Sequence, residues 1–600
     1  MTAESEPLSP TALTSSSDGK ALYLACATAN RVLCFNVAKQ KVLDSIATPD
    51  SPSGLALSAD GRQLFVTCAA PKSKVCVIDL AKLKIIGTIP AGHTAMAPVV
   101  SPDGKTVFVC NRFNNDLSVI DLATKKEVRR LAVQREPVAA DITKDGKFLL
   151  VANHLHNSRA DVDYVAAAVS VIDVAAGKVF KELQLPNGSG LLEDIRVSPN
   201  GQYAVVTHVV GRFNRLPTRV TEGWINANAL TIIDLAGMKI RGTTLLDDHY
   251  RGASNPWGIT WSPDGTTLVV THAGTHEVSV IDFQKMLAEL PALPATYDPV
   301  KAAGFYVASK DQSELPDDLP YFTGSRFRIK LPGGDLGPRA AVVVNRTVYV
   351  ANYFSDTLTV IDLNKATPKV ESIALGPKPN MDAVRKGEFY FNDAEICYEG
   401  WQSCASCHSD DARADGLNWD LLNDGVGNPK NTKSLLLAHM TPPAMWLGVR
   451  SNAETAVRAG IRHILFTEQP DEVPAAIDEY LKALKPVPSP YLVHGKLSEA
   501  AERGQKVFLQ AGCAVCHPLG LFTDLRKHDV GTHAPYDRPT DKFYTPTLIE
   551  VWRTAPYLHD GSAATIRDVV TTHNPHDQHG RTSNLSRQEI DDLCAYMLSL

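Results

Sequence analysis

No apolar run in these 600 residues reaches 18, so no segment can cross a bilayer as a helix. The N-terminal stretch MTAESEPLSPTALTSSSDGK has neither a basic start nor an apolar centre and is not a secretory signal. An excess of one charge is missing as well. Against 66 Asp and Glu stand 60 Lys and Arg, a formal net charge of -6, which argues against a nucleic-acid binder. Cysteine is sparse, 11 in all, yet four of the eleven fall in two copies of one short motif. The rest of the composition, 44% hydrophobic and 21% charged, is that of a globular protein, and the length calls for several cores.

The motif is C-x-x-C-H: Cys404, Cys407 and His408 in GWQSCASCHSD, and Cys513, Cys516 and His517 in AGCAVCHPLG. Two thiols about one helical turn apart can each form a thioether to a haem vinyl group, and the histidine that follows lies where an imidazole can bind the iron. A C-x-x-C alone would also suit a redox dithiol or half of a zinc site. The added histidine and the second copy point to two covalently bound c-type haems. Such attachment belongs outside the cytoplasmic membrane, so the expected location is the bacterial periplasm, with the export signal absent from this sequence.

Residues 1–378 read as a repeat array. VCVIDL, LSVIDL, VSVIDV, LTIIDL, VSVIDF and LTVIDL end at residues 80, 122, 174, 235, 283 and 363, with a degenerate VLCFNV ending at 37. The first six units are opened by SSDG, SADG, SPDG, TKDG, SPNG and SPDG; the seventh has lost its turn. Asp-Gly and Asn-Gly between alternating apolar runs mark hairpins. Four short strands per unit, at a period of about 42, describe propeller blades, and seven units give a seven-bladed β-propeller. VFVCNRFNNDLSVID and VYVANYFSDTLTVID resemble YVTN-type propeller repeats. Insertions at residues 153–168, 209–228 and 284–339 are expected to cap the haem region or to meet a partner.

His154, His156, His208, His272 and His276 fall at or near strand ends, as hydrogen-bonding residues of blade edges or as ligands to a metal in the channel. Cys26 and Cys34 stand eight apart around one hairpin, and Cys68 and Cys76 repeat the spacing one blade later. That pattern is open to cross-hairpin disulfides or to small buried thiols inherited with the repeat. Cys110, Cys397 and Cys594 are expected as buried thiols.

Near residue 379 the alternation yields to helical periodicity. RKGEFYFNDAEICYEGWQSCASCH (385–408) and AERGQKVFLQAGCAVCH (501–517) follow one plan, a helix leading into the haem motif. Each half closes with an amphipathic helix, PAAIDEYLKAL and SRQEIDDLCAYMLSL. The expected fold is multidomain β plus α: a seven-bladed propeller over 1–378, then two tandem class I cytochrome c-like helical domains over 379–490 and 491–600.

The last 217 residues resemble the dihaem cytochrome c peroxidase family with its MauG-like members. NTKSL (431–435) resembles the family segment R-N-T/S-P-T-L, and AMWLGVRSNAETAVRAGI (444–461) resembles F-W-D-G-R-A-x-x-L-E-E-Q-A-x-G-P-I. FYTPTLIEVWRTAPYLHDGSAATIRDVV (543–570) resembles F-x-T-P-T-L-R-N-V-x-x-T-A-P-Y-x-H-D-G-x-x-A-T-L-x-x-V-V. The resemblance implies that Trp446 assists electron transfer between the haems and that Asn431 helps to hold a calcium ion between the domains. It also implies His573 as distal ligand of the second haem, with Tyr557, His576, His579 and Met597 as rivals. The family's glutamine and glutamate over an open first iron are not matched, since Ala456 and Phe466 stand at those positions. Glu468, two residues on, is the substitute acid. His463, on the Ala456 face two turns along, is the alternative that would close the site, with His439 as runner-up.

The resemblance thus implies a periplasmic peroxidase-type or MauG-like oxidoreductase. Its partner would be a small cytochrome, a cupredoxin or a protein substrate, and hydrogen peroxide its oxidant, with Glu468 or His463 assisting proton transfer. The alternatives are an electron-transfer protein with two six-coordinate haems, and a ligand-binding propeller that uses the haems as a redox sensor.

Overall fold

A computed structural model of the chain describes residues 6–215, 219, 223–290, 312–319, 321–365, 367–378, 381–420 and 427–600. The middle parts of the insertions at 209–228 and 284–339 lie outside the described residues. Seven antiparallel sheets follow one another over 10–47, 51–90, 95–132, 137–184, 189–245, 256–330 and 338–374. They are the seven blades of a propeller. The strands of each blade are contiguous in sequence, four in six blades and five in blade five, so the ring closes by packing rather than by a shared sheet. Leu22, Leu24 and Phe35 of blade one meet Tyr349, Leu358 and Val360 of blade seven. The Asp356 carboxylate also accepts the backbone N–H groups of Leu8 and Ser9, both at 2.8 Å.

The turns that open the first six units share one geometry. A Ser or Thr hydroxyl donates to the Asp or Asn two residues on, as in Ser16 to Asp18 (2.7 Å) and Ser101 to Asp103 (2.6 Å). The glycine that follows has φ between 67° and 73°, a conformation that costs it little without a Cβ. Inside the blades a second repeated device ties strand two to strand three. Asn111 donates to Ser118 (2.8 Å), Asn153 to Ser170 (2.9 Å) and Asn352 to Thr359 (2.8 Å). His208 and His272 take the same place against Thr231 (2.8 Å) and Ser279 (2.7 Å). Burial holds both imidazoles neutral, and His208 is pushed down to about 4. Among the described residues none of the five propeller histidines joins a cluster with metal-ligand spacing, which leaves the hydrogen-bonding reading.

Blade two fills that device with sulfur: the Sγ atoms of Cys68 and Cys76 lie 3.6 Å apart. The pair in blade one does not meet. Cys76 is paired with Val66, two residues from Cys68, so both thiols share a face. Cys34 is paired with Tyr23, three residues from Cys26, and the two thiols point to opposite faces, one toward blade seven and one toward blade two. One extra residue in the second hairpin loop makes the difference, because a single-residue slip inverts every side chain of a strand. Cys110 and Cys397 are buried; Cys594 is half-buried.

The 209–228 insertion lies in blade five, as expected, and is partly strand, whereas the 284–339 insertion departs from its expected place. The strands Tyr203–Gly211 and Asn226–Asp234 of blade five extend to nine residues each, toward the haem region. The 284–339 insertion lies within blade six rather than before blade seven, because Arg326–Lys330 pairs with Glu277–Asp282 as that blade's fourth strand. Beyond the propeller, helix Ala383–Asn392 crosses Glu472–Ala483, and Glu499–Gln510 crosses Arg587–Leu598. Gly387 faces the Ala476 carbonyl and Tyr480, and Gly504 faces the Asp592 carbonyl and Tyr596; any side chain at either position would collide.

Mild oxidation is expected to join Cys68 to Cys76 and to leave Cys26 and Cys34 as thiols. Non-reducing peptide mapping checks this, and a Cys26–Cys34 bridge would contradict the register.

Candidate functional site

One cavity of 480 Å³ carries both C-x-x-C-H motifs on its wall. The two motif histidines are held alike. His408 Nδ1 lies 3.1 Å from the Arg413 carbonyl and His517 Nδ1 lies 2.9 Å from the Phe522 carbonyl, each five residues downstream. A carbonyl can only accept, so Nδ1 carries the proton and Nε2 is left for a metal. Burial lowers both imidazoles and favours the neutral form that binds iron. Two thiols and one oriented imidazole per motif fit covalent haem.

The propeller covers the first motif. Asn226 Nδ2 lies 3.0 Å from Gln402 Oε1 and 3.4 Å from Cys407 Sγ, and Asn255 bonds Ser403 (2.9 Å) and Ser406 (2.8 Å). From the blade-four insertion, the Ala160 N–H donates to the Gly561 carbonyl (2.9 Å), and His156 Nε2 meets the Gly416 carbonyl (3.1 Å). The second half is held by Arg135, whose guanidinium donates to the carbonyls of Ala555 (2.5 Å) and Arg553 (2.6 Å). Both insertions described at this face cap the haem halves.

Several expected site residues reach the cavity. Trp446 lines it, its Nε1 donating to the Asn431 carbonyl at 2.7 Å. Asn431 is buried beside it, and its amide nitrogen faces the carbonyls of Gly416 (2.9 Å) and Leu417 (3.4 Å) and Asn418 Oδ1 (3.0 Å). These contacts tie the segment at 431 to that at 416–418.

Others are turned away. His463 is exposed and absent from the cavity wall. Seven residues past Ala456 it keeps the face but advances about 10 Å along the axis, beyond the rim. Glu468 is 80% exposed and pairs with Arg462 at 3.1 Å, because the chain turns outward at Phe466, which has a positive φ of 54°. Neither is placed for the catalytic role expected of it. His439 bonds Asp478 at 3.1 Å, also off the wall.

His573, too, stays off the wall and half-exposed, past the end of helix Ile566–Val570. His579, one of its named rivals, lines the cavity. The Asn574 side chain makes the difference. It donates to the carbonyl of Gly580 and to Thr582 Oγ1, both at 2.8 Å, and accepts the His579 N–H at 2.8 Å, folding the loop back. The His579 ring then stands 6.4 Å from the His517 ring, centroid to centroid, a gap that two metal–nitrogen bonds of about 2 Å would span. Among the described residues its buried Nδ1 has no partner, and burial, with His517 beside it, lowers the imidazole to about 4.

One polar group on the wall escaped the sequence reading. His559 Nε2 lies 2.6 Å from Asp537, and its ring stacks on Phe543 at 3.6 Å and 14°. Asp537 is fully enclosed and also accepts from Asn428 (3.0 Å), Lys430 (2.9 Å) and the Ala534 N–H (2.6 Å). Burial alone would raise its carboxyl, but these bonds outweigh burial and hold it far below the usual carboxylate range. No local motif marks Asp537; only its four partners do. A nearby trio, Cys516, Asp524 and His528, has metal-ligand spacing, yet Cys516 belongs to the haem motif.

The cytochrome c family matches residues 501–600. The chain is 32% identical over 291 residues to hydrazine synthase subunit gamma of Kuenenia stuttgartiensis, covering 36% of this chain and 78% of that one. It is 32% identical over 208 residues to subunit beta of the same enzyme, covering 33% of this chain and 48% of that one. It is 25% identical over 320 residues to the methylamine utilization protein MauG of Methylophilus methylotrophus, covering 44% of this chain and 95% of that one.

Asp537→Asn leaves Lys430 and His559 facing a neutral amide and is expected to cost about 3–5 kcal/mol near neutral pH. A carboxyl depressed in the fold contributes stability above its unfolded value of about 4 and loses it below. Denaturation curves of variant and wild type should therefore converge as pH falls through 4 and below.

Proposed function

Because the C-terminal part of this chain belongs to the dihaem cytochrome c peroxidase and MauG-like family, with hydrazine synthase subunit gamma among its relatives, we propose that it is a periplasmic dihaem oxidoreductase with one open and one closed iron site. Cys404 and Cys407 would bind one haem and Cys513 and Cys516 the other, with His408 and His517 as proximal ligands. His579, whose ring stands beside that of His517, would hold the second haem in the place that resemblance alone gave to His573. Bound haem supplies one-electron chemistry and, at an iron with a free position, reaction with a peroxide.

The asymmetry of the lining histidines carries this reading. Among the described residues, His517, His528, His559 and His579 come from the second half, and the first half contributes His408 alone. Ala456, Val457, Ala459 and Gly460 present an apolar helix face to the cavity, which supports an open first site. Trp446, on the wall shared by both motifs, is the bridge between them. With Glu468 and His463 turned outward, His559 is the acid–base group at hand, its tautomer set by Asp537. Electrons would come from a small cytochrome or cupredoxin, and the propeller limits the first site to small substrates.

Likeness to two subunits of one enzyme favours a second reading, hydrazine-forming chemistry in the same cavity. Assay of hydrazine production beside peroxide consumption separates the two.

Pyridine haemochrome analysis should give two c-type haems per chain. Electron paramagnetic resonance should show one high-spin and one low-spin centre. His579→Ala should convert the low-spin centre to high-spin, and His573→Ala should not. Two low-spin centres in both the oxidised and half-reduced states would overturn the enzyme reading in favour of electron transfer. His559→Gln should lower peroxide turnover at least about 10²-fold, and Glu468→Gln and His463→Ala should leave it unchanged.

A further inference from the structure

Lys433 lies where two rings of the cavity wall meet. Its ammonium nitrogen is 5.1 Å from the centre of the Trp446 indole and 4.6 Å from the centre of the Tyr544 ring. All three side chains line the cavity that carries both C-x-x-C-H motifs. Both rings are pinned. Trp446 Nε1 donates to the Asn431 carbonyl (2.7 Å), Tyr544 Oη donates to the Thr441 carbonyl (2.8 Å), and the Tyr544 N–H donates to the Trp446 carbonyl (2.8 Å). Among the described residues no carboxylate pairs with Lys433. Its position in NTKSL is the proline of R-N-T/S-P-T-L, so this chain adds a charge to the pattern it otherwise follows.

We infer that Lys433 is a positioning residue for electron flow: its charge keeps Trp446 and Tyr544 from giving up an electron, so the bridge passes electrons between the haem sites without storing an oxidising equivalent. The inference rests on the reading of Trp446 as the bridge. Loss of one electron from Trp446 to an oxidant leaves a radical cation on the indole. The Nε1 proton cannot leave with it, because its partner is an amide carbonyl, a very weak base. Positive charge on the ring then faces the ammonium, and the attraction between the neutral ring and the cation becomes repulsion. The same holds for Tyr544, whose hydroxyl proton is likewise held by a carbonyl. A neutral side chain at 433 removes the penalty from both rings.

The test uses the haem-loaded chain and a one-electron photo-oxidant, tris(bipyridine)ruthenium with persulfate. Mass spectrometry follows oxidation of the Trp446 peptide relative to the Trp552 peptide in the same sample. Lys433→Met should raise that ratio at least about fivefold, and Lys433→Arg should keep it at the wild-type level. Lys433→Gln serves where the Met variant does not fold. Paramagnetic resonance of the frozen, photolysed Met variant should show a tryptophan radical that a further Trp446→Phe change removes. Equal oxidation of Trp446 in wild type and Met variant overturns the inference, including the case in which a haem carboxylate already offsets the charge. The bridge reading is checked apart from this. Trp446→Phe should slow electron transfer between the haems at least about tenfold; an unchanged rate sinks the bridge and leaves the oxidation ratio interpretable.

Discussion

Glu550 joins the two haem halves from the inside. It is 1% exposed and accepts the Arg413 guanidinium at 2.7 and 2.9 Å, with the Val487 N–H of the first half and Arg553 close by. Removing one partner of such a buried pair strands a charge, which makes the pairing a strong constraint on how the halves dock. The carbonyl of the same Arg413 holds the His408 imidazole. One residue thus fixes the His408 imidazole and the second half against it, and a shared cavity follows from that coupling. Neither half encloses that cavity alone.

The propeller completes the enclosure unevenly. Its contacts with the first half are side-chain amides and backbone groups at the haem motif itself, from Asn226 and Asn255 to Gln402, Ser403, Ser406 and Cys407. Toward the second half it offers Arg135 to the backbone carbonyls of residues 555 and 553, and His93 meets the Pro488 carbonyl at the end of the first half. Val515, between those two cysteines, remains 78% exposed. The propeller thus covers the first C-x-x-C-H motif and leaves the second reachable from solvent at Val515.

The residues that sequence reading placed well are those whose chemistry is carried by their immediate neighbours. C-x-x-C-H is a local object, and the hairpin turns and blade strands follow from alternation within a few residues. His463 and Glu468 show where that logic stops. Helical periodicity gives an angle for His463 about its helix, but not the point along the axis at which the cavity ends. His573 and His579 are six residues apart in a loop, and only the Asn574 hydrogen bonds decide which swings inward. Asp537 and Lys433 were silent because their partners lie far off in the chain: Asn428, Lys430 and His559 for the one, Trp446 and Tyr544 for the other.

The amino-acid sequence by itself determined the two haem motifs, the seven blades and the order of the parts, because each rests on spacing within one turn, one hairpin or one helix. Tertiary structure decided which side chains share a space. It brought Cys68 to Cys76 and kept Cys26 from Cys34, although both pairs are spaced by eight, since one loop residue changes the strand register. It placed Trp446, Lys433, His559 and His579 on one wall and left His463 outside. The physical reason is the same in each case. Local periodicity fixes the direction of a side chain about its own element, whereas the surface it meets is set by how distant elements pack.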